Sequence, residues 1–229
     1  MKRISVLALG ATILLLPLMV IGQIPNEGLV NGILAARKKE AAMLQQYNWN
    51  RRTEILQDGN MQDIRIDLMS CPATGIPQGS MINDIPGKLP GGFIRKKSAE
   101  NKRKELEEYL GGIRKLVDQY TLPSAGKIVD FLATATITPG TTPEGTSILT
   151  ANGNGVVTPG DTFTMVFDGK TMQAVSVQVS TIFKGDPVAV TATFKQIANG
   201  PNYMQYATVQ ATGKEATVNI HNYDFVRND

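Results

Sequence analysis

The stretch DTFTMVFDGKTMQAVSVQVSTIFKGDPVAVTATFKQIANGPNYMQYATVQATGKEATVNIHNYDF, residues 161–225, decides the fold. Apolar and polar side chains alternate along it with a period of two, the pattern of strands with one dry and one wet face. Turn residues interrupt the alternation at Pro159-Gly160-Asp161, Asp168-Gly169, Gly185-Asp186-Pro187, Asn199-Gly200-Pro201 and Gly213-Lys214. Strands are expected between them, at 162–167, 172–183, 188–197, 203–212 and 215–225. Connections this short join antiparallel neighbours, because a parallel crossover needs a dozen residues or more. The spacing therefore predicts consecutive antiparallel strands in one sheet, with Val175, Val177 and Val179 on a common face.

Upstream, residues 139–161 are rich in Gly, Thr and Pro and hold one strand around 147–149, or a longer one through Val157. A helical block precedes them at 97–135. Leu106, Tyr109, Leu110, Ile113, Leu116, Val117 and Tyr120 fall on one apolar helix face. Gly111-Gly112 interrupts that helix at about 1 kcal/mol per Gly relative to Ala. The pair marks either a bend or the close approach of another backbone. Leu122-Pro123 ends the helix, and Pro123 or Ser124 opens a shorter one carrying Ile128, Val129, Phe131 and Leu132.

The first part of the chain repeats the theme. Residues 27–47 read as a helix, with Leu29, Ile33, Leu34, Ala41 and Leu44 near helical spacing and Asn26 as a cap. From Tyr47 the period becomes two, with Tyr47, Trp49, Arg51, Thr53 and Ile55 on one face. Asp58-Gly59-Asn60 signals a hairpin turn. The returning strand sets Ile64, Ile66 and Leu68 against Asp63, Arg65 and Asp67, which predicts a wet face for the charged set. Strands are expected over 47–70 and 146–226. After Ser70, the residues Pro72, Gly75, Pro77 and Gly79 predict at most a short, broken strand before a loop at 86–92.

A sheet with one apolar face needs a cover, and the two helical blocks carry matching stripes. The expected fold class is α+β: a single, strongly curved antiparallel sheet of about eight to ten strands with helices on its concave face. Residues 23–229 form one domain in this reading.

Ahead of that domain, Lys2 and Arg3 precede an uncharged apolar run from Ile4 to Leu16, broken by Pro17 and followed by Val20-Ile21-Gly22. This is the layout of a cleavable export signal over 1–22, with Gln23 as the mature terminus. The other reading is a retained anchor, since the run is nearly long enough to span a bilayer. Either way the domain faces the exported side, in the periplasm or outer envelope of a Gram-negative-type bacterium. With the signal removed, no membrane span is expected.

Charge and composition narrow the function. Loss of Lys2 and Arg3 takes the net charge from +3 to +1, which gives no argument for nucleic acid. Lys88, Arg95, Lys96, Lys97, Lys102, Arg103 and Lys104 precede Glu105, Glu107 and Glu108. That run reads as the solvated face of a helix, or as a patch that meets anionic headgroups. The chain has one His and one Cys, His221 and Cys71. Cys71 makes no internal disulfide and reads as a small buried apolar residue. His221 shares a strand face with Asn219, Tyr223 and Phe225 and reads as packed or surface. Glu54, Asp63 and Asp67 beside Arg51, Arg52 and Arg65 read as cross-strand charge pairs. No P-loop, dinucleotide fingerprint or metal-ligand spacing occurs, so neither an enzyme nor a cofactor is expected.

The motif Tyr47-Asn48-Trp49-Asn50-Arg51-Arg52-Thr53-Glu54, with Val218-Asn219-Ile220-His221-Asn222-Tyr223 at the other end, resembles uncharacterised exported bacterial proteins. Together with the element order, it is similar to the half-barrel fold of periplasmic lipoprotein carriers and their outer-membrane receptors. That resemblance implies an apolar half-barrel that holds acyl chains under a helical lid. In the carriers a strand Arg in an Arg-Pro context latches the lid. Neither Arg51 nor Arg52 is followed by Pro, so no residue role is carried over. The expected function is carriage of a lipid or other apolar ligand, with Trp49, Leu106, Leu110, Ile113, Phe163, Met165 and Phe167 as cavity lining. Met43, Met61, Met69, Met172 and Met204 add adaptable apolar surface. The alternative is a structural or envelope-interaction protein whose core is full. Partners under the two readings are a lipid or acylated molecule, or other envelope proteins.

Overall fold

A computed structural model describes residues 27–86, 93–121 and 124–228. The export signal, Asn26, the loop at 87–92 and Leu122-Pro123 lie outside the described residues. Helix α1 (Glu27–Leu44) leads into β1 (Tyr47–Gln57), β2 (Asn60–Ser70) and β3 (Gln78–Pro86). Helices α2 (Phe93–Thr121) and α3 (Ala125–Thr134) follow. The chain closes with β4 (Thr136–Thr141), β5 (Ser147–Asn154), β6 (Thr162–Asp168), β7 (Ala174–Phe183), β8 (Asp186–Gln196), β9 (Asn202–Ala211) and β10 (Ala216–Arg227).

All ten strands form one open antiparallel sheet in the order β3-β2-β1-β10-β9-β8-β7-β6-β5-β4. The first strand pairs with the last, Arg51 opposite Asn222 and Thr53 opposite Ile220. The five strands from β6 to β10 are consecutive neighbours, as the period-two reading requires. Two-residue turns join β1 to β2 and β7 to β8: Asp58 and Gly59 have φ of 52° and 73°, and Lys184 and Gly185 51° and 89°, left-handed pairs whose twist matches the flanking strands.

The strand order dictates where the helices go. β3 and β4 are the two edges of the sheet, and α2 and α3 lie between them in sequence, so the helical link must cross the sheet. A helix of 29 residues spans about 43 Å, close to the flat width of ten strands at about 4.8 Å spacing. It lies on the concave face, where Leu106, Tyr109, Ile113, Leu116 and Tyr120 enter the core beside Phe163, Phe167, Val177, Val179, Val188 and Val190. Lys102, Glu105 and Glu108 stay exposed. Ser124 caps α3, its hydroxyl accepting from the Lys127 N–H.

Four local expectations are corrected. β3 is a nine-residue strand, not a short broken one; paired on one side only, it tolerates Pro86 at its end. β4 was expected as loop because it contains Pro139-Gly140, but an edge strand can accept both. On β2 the faces are reversed: Asp67 is 6% exposed and Leu68 45%, since Asp67 lies on the face of Trp49 and Arg51. Val175 is exposed while Val177 and Val179 are buried, because a bulge opposite Phe167 breaks the alternation there.

Candidate functional site

The concave face divides into two halves. Over β6, β7 and β8 most inward side chains are buried under α2 and α3, with Met165 half-buried at the border. Over β1 and β10 the inward residues Ile55, Val218 and Ile220 are only half-buried, as is Met204 of β9, although Ala207, Val209 and Ala211 beside them on β9 are buried. On α2, Leu110 and Val117 are half-buried too. One apolar face is thus sealed on one side and partly open on the other.

The residues read as cavity lining are distributed across this division. Leu106, Ile113, Phe163 and Phe167 are packed into the sealed core, with Leu110 and Met165 at its border. Trp49 belongs to a second cluster with Met69 and Cys71, bordered by Leu44 and Phe225. Its ring stacks on Phe225 at 5.2 Å and 10°. Phe225 was expected beside His221 and Tyr223. A left-handed Asp224 (φ 53°) and a bulge opposite Asn48–Asn50 turn it to the inner face instead. His221 remains outside, stacked between Tyr206 and Tyr223.

Between Trp49 and the half-open stripe lies a polar row that the sequence reading missed. Asp67, Arg51 and Asn222 sit directly opposite one another on β2, β1 and β10. Asn222 is 3% exposed. Its Oδ1 accepts from Trp49 Nε1 at 3.0 Å and from Arg51 Nε at 2.9 Å, while its Nδ2 donates to the Met204 carbonyl at 2.8 Å. Both acceptor positions of the buried amide and one of its two N–H donors are thereby used, which fixes the orientation of the Arg51 side chain. Burial, then the neighbouring Arg114 on α2, pull the Arg51 pKa below its ordinary value; Asp67 and Asp118 oppose them. The expected cross-strand charge pairs are instead pairs along one strand: Arg52 with Glu54 at 2.7 Å and Arg65 with Asp67 at 2.6 Å. Asp63 reaches across to Arg103 of α2 at 3.2 Å. Parity puts Arg51 on the face of the chain's single Trp, but only burial of Trp49 shows that this face points inward.

Two further polar groups position the cover. Asp161 accepts from the N–H groups of Val156, Val157 and Thr158, all at 2.8 Å, and from the Tyr120 hydroxyl at 2.6 Å. Burial opposes its ionisation, but these donors outweigh that and hold its carboxyl below the usual carboxylate range. On α1, burial pushes Glu40 up to about 7 despite contacts with Gln173, Arg37 and Asn202. One of its oxygens, Oε1, is buried with no hydrogen-bond partner.

Among the described residues, no group of three or more His, Cys, Asp and Glu side chains is placed to hold a metal ion. Nor is any helix among them long and apolar enough to cross a membrane. No family model matches the chain, and no curated protein does. Solved structures similar to it include a LolA superfamily protein from Nitrosomonas europaea, 9% identical over 86% of this chain and 94% of that one, with a TM-score of 0.34. A DUF1329 family protein from Desulfovibrio piger is 10% identical over 89% and 93%, with a TM-score of 0.39. A domain named for outer membrane lipoprotein sorting, from Vibrio parahaemolyticus, is 8% identical over 88% and 92%, with a TM-score of 0.40. At these identities and scores no residue role passes from them to this chain.

Proposed function

We propose that this is an exported, non-enzymatic carrier that holds a lipid or other apolar ligand on the half-open side of its sheet. The observation that carries the reading is the uneven cover. Ile55, Val218, Ile220 and Met204 present an apolar stripe that α2 reaches but does not seal. An acyl chain laid along it would remove that surface from water at about 25 cal/mol per Å². Leu110 would then belong to the lining, while Leu106, Ile113, Phe163 and Phe167 serve as its packed floor. Export follows from the signal read over residues 1–22, and the periplasm or outer envelope is the corresponding location.

The second reading, a structural or envelope-interaction protein, draws on the completeness of the core over β6 to β8. Mass spectrometry of gently purified protein, run native and after organic extraction, separates the two. Reproducible co-purifying acyl chains are expected of the carrier. Their absence in both preparations would leave the filled-core reading standing.

A further inference from the structure

Arg51 projects from the middle of β1 into the concave side, and its Nε is already committed to Asn222. Among the described residues, no carboxylate comes within ion-pair distance of Arg51 or of Arg114. Yet the two cations are close enough to repel each other, from different elements, with Asp67 and Asp118 in range of Arg51 as well. The guanidinium groups of Arg51 and Arg114 thus face the carboxylates of Asp67 and Asp118, of which Asp67 is already engaged by Arg65. Arg51 lies at the edge of the half-buried stripe formed by Ile55, Val218 and Ile220, its partner Asn222 two residues along β10 from Ile220.

A fixed guanidinium with a free fork is a preorganised receptor for two oxygens of one anion. Holding it costs the protein both desolvation and repulsion from Arg114, and one bound oxyanion would relieve the repulsion. We propose that Arg51 and Arg114 together bind the singly charged oxyanion head group, a phosphodiester or a carboxylate, of an amphiphile whose chains lie along Ile55, Val218 and Ile220. Asn222 acts as a positioning residue, since it touches Arg51 and not the anion. This inference rests on the carrier reading and gives its ligand a polar end.

Trp49 is the chain's single tryptophan, and its indole shares the Asn222 acceptor with Arg51, so its emission reports on the site. Delipidated full-length mature protein would be titrated with dihexanoylphosphatidylglycerol, decanoate, uncharged dihexanoylglycerol and inorganic phosphate. At least one anionic amphiphile should bind about tenfold or more tightly than the uncharged one, the scale of a hydrogen bond to a charged group. Arg51→Gln should remove that preference and leave the affinity for dihexanoylglycerol unchanged. Arg114→Gln, on the exposed side of α2, should act in the same direction and keeps the test usable if Arg51→Gln misfolds. Equal binding of charged and uncharged amphiphiles, insensitive to both substitutions, would overturn the inference and leave the carrier reading intact. Inorganic phosphate binding as tightly as the amphiphiles would overturn the amphiphile assignment. No binding by any of the four would overturn both.

Discussion

The Tyr120 hydroxyl donates a 2.6 Å hydrogen bond to Asp161 Oδ2, tying the C-terminal half of α2 to the loop between β5 and β6. The same hydroxyl lies 3.2 Å from Thr181 Oγ1 on β7, so one phenol joins the helix, the loop and the sheet. The cover over the sealed half is thereby held by a buried charge as well as by apolar packing.

Removing that link should loosen α2. Tyr120→Phe is expected to cost about 1.5–3 kcal/mol, the range for a hydrogen bond to a charged group. Asp161→Asn should cost about 3 kcal/mol or more, because backbone N–H groups of 156–158 would then face an amide. Urea unfolding checks both. The pH dependence separates charge from packing. Asp161 is held below its unfolded value of about 3.9. Its stabilisation is therefore complete above that pH and is lost as pH falls through the lower folded value. Wild type should lose more stability than Asp161→Asn between about pH 5 and about pH 2.

Glu40 should behave in the opposite way. Its folded pKa, raised to about 7, lies above its unfolded value, so the native state holds a proton that the unfolded chain has released. Stability should fall as pH rises from about 4.3 through 7. Glu40→Gln mimics the protonated form and should leave stability unchanged at about pH 4 while raising it at about pH 8. The gain is on the order of 1 kcal/mol after allowing for solvent screening of a half-buried group. A variant less stable than wild type at the higher pH would contradict the assignment.

The paired glycines of α2 differ in kind. A Cβ on Gly112 would overlap Cζ of Phe183, whereas one on Gly111 meets open space. Gly111→Ala should stabilise the protein by up to about 1 kcal/mol through helix propensity. Gly112→Ala should destabilise it by about 1–3 kcal/mol, the cost of overpacking. Thermal unfolding of the two single variants gives opposite signs if the helix lies this close to β7.

Leu110 and Ile113, one helix turn apart, probe the two halves of the concave face. Ile113 is 2% exposed, and Ile113→Ala should cost about 2–5 kcal/mol. Leu110→Ala in delipidated protein should cost under about 1 kcal/mol, since a half-buried leaf leaves little new void. It should also reduce lipid co-purification. A Leu110→Ala loss near that of Ile113→Ala would show a solid core at this position and count against the carrier.

The sequence by itself determined the period-two strands from 161 to 225, the left-handed turn at Asp58-Gly59, the amphipathic stripe of α2 and the antiparallel class. Each depends on residues near one another in the chain, whose backbone preferences and spacing act locally. Only the tertiary structure decided which strand faces point inward at bulges, where one extra residue reverses parity, as at Asp224 for Phe225. It alone placed Asp67 inside and Leu68 outside, because burial on β2 depends on the neighbouring Trp49 and Arg51. The candidate site was legible only in part. Leu110 and Ile113 could be read from helical spacing, but the Asp67–Arg51–Asn222 row joins residues far apart in sequence that meet only when β1 pairs with β10.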